Sequence, residues 1–139
     1  MHSNIPTIEI ASVLLAASLV WLSAMVQHMA NLAKRGTRYV LSDRDVAPGM
    51  DGFFGRASRT LSNNIESALM YVPPVLILVI LDRTSATTHT VAAVYVAARC
   101  TFSIAYWLKI SPIRSLAWLT GMGCCAVAVS CAAMALAGR

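Results

Sequence analysis

Four long apolar stretches follow one another along the chain, separated by shorter polar segments. Each has about 20 residues or more, the length that an α-helix needs to cross about 30 Å of hydrocarbon. The pattern therefore predicts four helices, at about residues 7–33, 55–81, 90–109 and 112–137. Short connections make successive helices alternate in direction. We expect a single all-α domain over residues 1–139, an integral membrane four-helix bundle with up-down topology.

The composition agrees with a membrane protein. Of 139 residues, 58% are hydrophobic and 12% are charged, about half the charged share of an ordinary soluble domain. The net charge of +5 is not arranged as a basic stripe with interleaved aromatic residues, so nucleic acid is not an expected partner. In a membrane protein, such an excess sets the orientation in the lipid bilayer and meets anionic headgroups.

The basic residues are concentrated in two predicted connections, residues 34–54 and 109–115. Short segments rich in Lys and Arg stay on the cytoplasmic side of a membrane. We therefore expect a multi-pass membrane protein with both termini outside the cytoplasm. Residues 1–6 contain no Lys or Arg and are not typical of a signal peptide. The basic residues of the two connections are Lys34, Arg35, Arg38, Arg44, Lys109 and Arg114.

The four cysteines predict neither a disulfide framework nor a metal centre. Cys100, Cys124, Cys125 and Cys131 lie in apolar segments, and none has metal-ligand spacing with a histidine. We interpret them as small apolar residues at helix contacts, and no metal is expected.

The head of the second helix carries a polar face formed by Arg56, Arg59, Asn63 and Glu66. At 100° per residue these positions fall within about 80° of arc. A membrane helix must direct such a face towards a partner, because unpaired charge in hydrocarbon costs several kcal/mol.

The third helix carries one charge near its centre, Arg99, which shares a face with Tyr106 two turns later. Glu66 is the carboxylate expected at a similar depth. We therefore predict a Glu66–Arg99 ion pair within one protomer, and expect Glu66→Gln to destabilise the fold by about 3–5 kcal/mol. The pair either serves stability alone or also lines a ligand cavity.

The start of the fourth helix predicts an anion site. Ser111 is the expected N-cap and Pro112 the first helical residue. Arg114 and Ser115 then lie in the first turn, where free N–H groups and the helix dipole favour negative charge. This turn and the polar head of the second helix lie at one membrane face, so we expect an anionic ligand between helices there. Lipid phosphate is the alternative partner of Arg114.

The end of the first helix offers two further candidates, His28 and Asn31. They either mark an interfacial helix end or face a ligand pocket.

Three motifs in order resemble the MAPEG family, the membrane-associated proteins of eicosanoid and glutathione metabolism. They are Arg59-x-x-x-Asn63-x-x-Glu66 after Gly55-Arg56-Ala57, then Arg99 with Tyr106, then Pro112-Ile113-Arg114-Ser115. Residues 41–45 and 115–118 look more like those of bacterial members, which implies a location in the bacterial inner membrane. The resemblance covers nearly the whole chain.

The resemblance implies a homotrimer with glutathione as co-substrate, bound between neighbouring subunits. Arg114 and Ser115 match the thiol-activating region and are the candidate catalytic residues. Phe102 departs from the pattern, standing where many relatives have histidine. The candidate glutathione-binding residues are Arg56, Arg59, Asn63, Glu66, Arg99 and Tyr106.

We therefore expect a membrane-bound glutathione-dependent transferase or peroxidase acting on lipophilic electrophiles. One alternative is a non-catalytic membrane binding or assembly protein of the same fold. Another is a small four-helix transporter. Transporters of that kind use a carboxylate deep in the first helix, whereas Glu9 is expected near the outer end of that helix.

Overall fold

The computed structural model describes residues 7–43 and 49–138. Within these ranges the chain forms four α-helices and no strand, which confirms the expected all-α four-helix bundle. Arg44 of the first predicted connection and the interpretation of residues 1–6 lie outside the described residues. The helices are α1 (Thr7–Val40), α2 (Gly52–Ile80), α3 (Ala86–Trp107) and α4 (Ser111–Ala137).

The outer surface of the bundle is apolar. Large hydrophobic side chains such as Leu14, Trp21, Leu69 and Leu119 are more than 40% exposed. The helices α1, α2 and α4 are long and apolar enough to cross a membrane. The 22 residues of α3 span about 33 Å, but Arg99 and several hydroxyl residues lower its mean hydropathy. The protein is thus an integral membrane protein, whose exposed apolar surface faces lipid.

The helices α2 and α3 form the centre of the bundle. Each contacts the other and both outer helices, whereas α1 and α4 make no contact with one another among the described residues. Side chains of α2 and α3 therefore meet groups from every helix, and the buried polar residues are concentrated there.

Helix boundaries differ from the predicted ones where local chemistry extends a helix. The helix α1 continues to Val40, through a bend at Gly36, whose φ of 77° and ψ of 172° are not helical. Glycine adopts this backbone without a Cβ clash. Residues 34–40 of the first predicted connection therefore belong to α1. The helix α3 begins earlier than predicted, at Ala86, because Ser85 and Thr88 form a capping box.

The predicted N-cap of α4 is wrong by one residue. Ile110 occupies the cap position and makes no side-chain cap hydrogen bond, while Ser111 is already helical. The preceding Lys109 has a φ of 65°, a left-handed conformation that turns the chain sharply from α3 into α4.

Arg99 is the largest fully buried side chain of the bundle, with 2% of its surface exposed. Its Nη2 donates a 2.5 Å hydrogen bond to Asn64 Oδ1, and its guanidinium lies 4.4 Å from the centre of the Phe102 ring. The predicted Glu66–Arg99 ion pair is absent, because Glu66 is exposed and Asn64 occupies the partner position.

Asn64 connects three helices. Its Nδ2 donates to Ser23 Oγ of α1 at 2.7 Å and to Ser103 Oγ of α3 at 3.0 Å, while its oxygen holds Arg99. A second polar cluster lies further along the core, where the rings of Tyr71 and Tyr95 stack at 3.6 Å. These contacts satisfy polar groups that lipid could not.

Glu9 lies in the first turn of α1, near the outer end of that helix as predicted. It is completely buried, and Thr88 Oγ1 donates to its Oε1 at 2.6 Å. Its Oε2 lies 3.3 Å from Nε2 of the half-exposed His89. The carboxylate thus joins the start of α1 to the first turn of α3, where the helix dipole favours a negative charge.

Replacing the Asn64 amide tests this description of the core. Asn64→Leu leaves Arg99 and two serine hydroxyls without their partner, so we expect the free energy of unfolding to fall by about 2–3 kcal/mol. Glu66→Gln is the matched control and should reduce stability less, because Glu66 is exposed within the protomer. Thermal unfolding of both variants in detergent provides the measurement. Greater loss of stability in Glu66→Gln would contradict the assignment.

Candidate functional site

A cavity of about 460 Å³ opens at the end of the bundle where α2 begins and α3 turns into α4. Two short segments and parts of three helices enclose it. Four of its lining side chains are basic, and several hydrogen-bonding groups face it. The described lining residues are Met50, Asp51, Gly52, Arg56, Arg59, Ala105, Tyr106, Lys109, Ile110, Ser111 and Arg114.

The chain approaches α2 closely enough to require glycine at Gly55. A Cβ there would collide with the carbonyl oxygen of Met50. The same carbonyl accepts a 3.3 Å hydrogen bond from Nη1 of Arg59. The incoming segment is therefore held against the first turns of α2 and forms one wall of the cavity.

Two arginines of α2 reach across to the end of α3. Nε of Arg56 donates to the carbonyl oxygen of Trp107 at 3.3 Å. Nε of Arg59 donates to the Tyr106 hydroxyl at 3.2 Å. Each guanidinium keeps further N–H donors in a planar fork, which suits carboxylate binding.

Tyr106 lies between two of the cationic groups. Its hydroxyl accepts from Arg59, while the Arg114 guanidinium lies 4.9 Å from its ring centre. The ring also meets Phe102 edge-on, with centres 5.4 Å apart. Tyr106 thus spaces the two guanidinium groups and fixes them relative to the core.

The first turn of α4 supplies charge and some free backbone donors. The Arg114 N–H donates to the Ile110 carbonyl oxygen at 3.1 Å, so it is not available to a ligand. The N–H groups of Ser111 and Ile113 have no backbone partner among the described residues. An anion near this turn would meet them together with the Arg114 side chain.

The sequence-predicted residues divide into two groups. Arg56, Arg59, Tyr106 and Arg114 line the cavity. The other candidates lie outside it. Arg99 is buried in the core, and Asn31 is buried with its Oδ1 unpaired. Asn63 donates to the Arg59 carbonyl oxygen, and three further candidates are exposed: Glu66, Ser115 and His28.

Asp51 is a cavity residue that the sequence analysis missed. It occupies the N-cap position of α2 but makes no side-chain cap hydrogen bond. Its Oδ1 instead accepts from Nζ of Lys34, 2.5 Å away on α1. That hydrogen bond, together with the positive charge of Lys34, lowers the pKa of the Asp51 carboxyl. An aspartate just before an apolar helix was a visible N-cap signal, but the partner on α1 was not.

A family model for the MAPEG family matches residues 8–134. The chain belongs to the MAPEG family. The match covers nearly the whole chain, including every residue that lines the cavity. Searches of curated proteins and of solved structures gave no significant match. Membership of this membrane family agrees with the four helices and the apolar outer surface.

The Lys34–Asp51 contact in this MAPEG protein should be lost in acid. The folded-state pKa of Asp51 is lowered, so the contact persists above the ordinary aspartate value of about 4. It disappears as the pH falls through the lowered folded-state pKa. An NMR titration of the labelled carboxyl carbon measures this, with Lys34→Gln as control. An unchanged midpoint in that variant would contradict the assigned cause.

Proposed function

We propose that the protein is a membrane-bound glutathione-dependent transferase or peroxidase for lipophilic electrophiles. The observation that carries the proposal is the cationic cavity at one end of a membrane bundle, with Arg56, Arg59, Lys109 and Arg114 around it. Glutathione carries two carboxylates, and arginine binds carboxylates with paired N–H donors. Membership of the MAPEG family supports a glutathione-related function.

The proposed roles follow from position. Arg56 and Arg59 lie on α2 with their guanidinium groups directed across the cavity, where they would hold the glutathione carboxylates. Arg114 lies at the start of α4, where its charge and the helix dipole would favour the thiolate over the thiol. A free thiol has a pKa near 8.5, so this stabilisation increases the reactive fraction at neutral pH.

The chemical step is attack by the glutathione sulfur. The thiol releases its proton to water, and the thiolate forms a bond from sulfur to the electrophilic carbon as the leaving group departs. With a hydroperoxide, the sulfur bonds to the terminal oxygen, the O–O bond breaks and an alcohol leaves. A second glutathione then attacks the resulting sulfenic acid, giving glutathione disulfide and water. The lipophilic substrate would arrive from the bilayer.

A homotrimer gives a role to the candidates outside the cavity. Asn63, Glu66 and Ser115 lie on outward-facing parts of α2 and α4. They would contact glutathione only where it extends onto a surface shared with a neighbouring protomer. In such an assembly Ser115 would donate a hydrogen bond to the thiolate, beside Arg114.

We further propose that the cavity faces the cytoplasm of a bacterial cell, with both termini on the other side of the inner membrane. The basic segments around Lys34 and Lys109 support this orientation. Cytoplasmic and periplasmic reporters fused to the C-terminus measure it. A cytoplasmic C-terminus would place the cavity on the opposite face and refute the orientation.

Substitution of two arginines separates binding from thiol activation. Arg114→Ala should shift the rate profile to higher pH and slow turnover more than it weakens glutathione binding, because its main partner is the developing thiolate. Arg59→Ala should mainly weaken binding, because it holds the peptide in the ground state. Glutathione titration and the pH dependence of conjugation provide the two measurements.

The parent protein and the two variants together decide the proposal. Equal losses of affinity with an unchanged pH profile would make Arg114 a binding residue only. Glutathione binding without conjugation or peroxidase activity across a broad electrophile panel would favour a non-catalytic binding protein. Absence of glutathione binding by the parent would refute the proposed co-substrate.

A further inference from the structure

The charged side chains that line the cavity are mostly, but not all, positive. Its described lining includes four basic side chains and a single carboxylate, that of Asp51. A purely cationic cavity would attract any polyanion, including a lipid phosphate. A carboxylate in the wall repels negative groups and favours a ligand that also carries a positive group.

Helix capping does not account for this carboxylate. Asp51 stands at the N-cap of α2, yet its side chain makes no cap hydrogen bond. The side chain is 78% exposed and is directed to Lys34. Lys34 also donates to the Gly49 carbonyl oxygen at 3.1 Å, so the lysine holds the segment before α2 independently of Asp51.

Asp51 lies between two cavities. It lines the cationic cavity and also a smaller one of about 300 Å³ that includes Lys34 and Phe54. Lys34 approaches the carboxylate at Oδ1. A carboxylate has about four acceptor positions, so this pairing leaves capacity for a second cationic donor from the ligand.

We infer that Asp51 binds the ammonium group of a zwitterionic thiol and makes the cavity selective against thiols that carry only negative charge. The inference rests on the glutathione-binding function proposed above. Glutathione has one ammonium group, on its γ-glutamyl residue, next to a carboxylate. Arg56 or Arg59 binds that carboxylate while Asp51, at the end of the incoming segment that also lines the cavity, binds the ammonium.

Glu66 is the competing carboxylate. It lies on α2, three to four turns from the start of the helix at 3.6 residues per turn, and it is exposed outside the cavity. Asp51, in contrast, shares a cavity with all four basic residues. Within one protomer, the ammonium group is therefore assigned to Asp51.

The test compares two ligands that differ by one group. Glutathione and glutaryl-cysteinylglycine, the same peptide without the amine, are titrated by calorimetry into the detergent-solubilised protein. The parent should prefer glutathione. Asp51→Asn should weaken glutathione binding about two- to fivefold, the range of an exposed ion pair, without weakening binding of the analogue.

Two matched variants identify the cause. Lys34→Gln removes the ion pair but keeps the Asp51 carboxylate, so it should retain the preference for glutathione. Glu66→Gln removes a proposed contact at the surface between protomers, so it should weaken binding of glutathione and of the analogue alike and leave their ratio unchanged. Asp51→Ser replaces Asp51→Asn if the latter folds poorly, because serine is also a favourable N-cap residue.

The outcomes distinguish this inference from the function on which it rests. Failure of the parent to bind glutathione overturns the proposed function and this inference with it. Binding by the parent with an unchanged preference in the Asp51 variants overturns the inference alone. Loss of the preference in Glu66→Gln instead assigns the ammonium to Glu66 and overturns the role of Asp51.

Discussion

The buried positive charge of Arg99 is the constraint on which the bundle depends. A guanidinium stays protonated in proteins, and inside a membrane bundle it has to be stabilised by its neighbours. Asn64 from α2 accepts its hydrogen bond, Phe102 covers its face, and Gly121 of α4 leaves room for its side chain, since a Cβ there would lie 3.2 Å from Arg99 Cδ. Through Ser23, the Asn64 amide also reaches α1. All four helices are therefore fixed around one side chain.

The same side chain positions the cavity. Phe102 contacts Arg99 with its face and packs against Tyr106 in a T-shaped arrangement, and Tyr106 in turn meets Arg59 and Arg114. A neutral ring at Phe102 stabilises the buried cation through its π face. A protonated histidine at that position would add a second positive charge next to the first. Phe102 thus suits a core in which Arg99 has an amide partner.

Patterns along the chain predicted the helices and part of the cavity, but not the side-chain partners. The positions of Arg56, Arg59 and Arg114 followed from helical periodicity and from helices that alternate in direction, whereas the place of Tyr106 at the ligand was implied by the resemblance to the family. The partner of Arg99 could not be predicted, because Asn64 and Glu66 lie at nearly the same depth and differ only in their angle around α2. Burial of Glu9 depended likewise on Thr88, which is 79 residues away in sequence. The sequence pattern of a single helix does not show how that helix is rotated about its axis relative to its neighbours.

The exposed face of α2 carries a charged residue next to apolar surface, and within one protomer this face is uncovered. Glu66 is exposed within a helix that is long and apolar enough to span a membrane. Its neighbours Ile65 and Leu69 line an apolar groove of about 410 Å³ between α1 and α2. A carboxylate surrounded by lipid at this depth costs several kcal/mol, so it requires a polar partner or water. In the proposed homotrimer, a second protomer covering this face would supply such a partner and shield the groove from lipid.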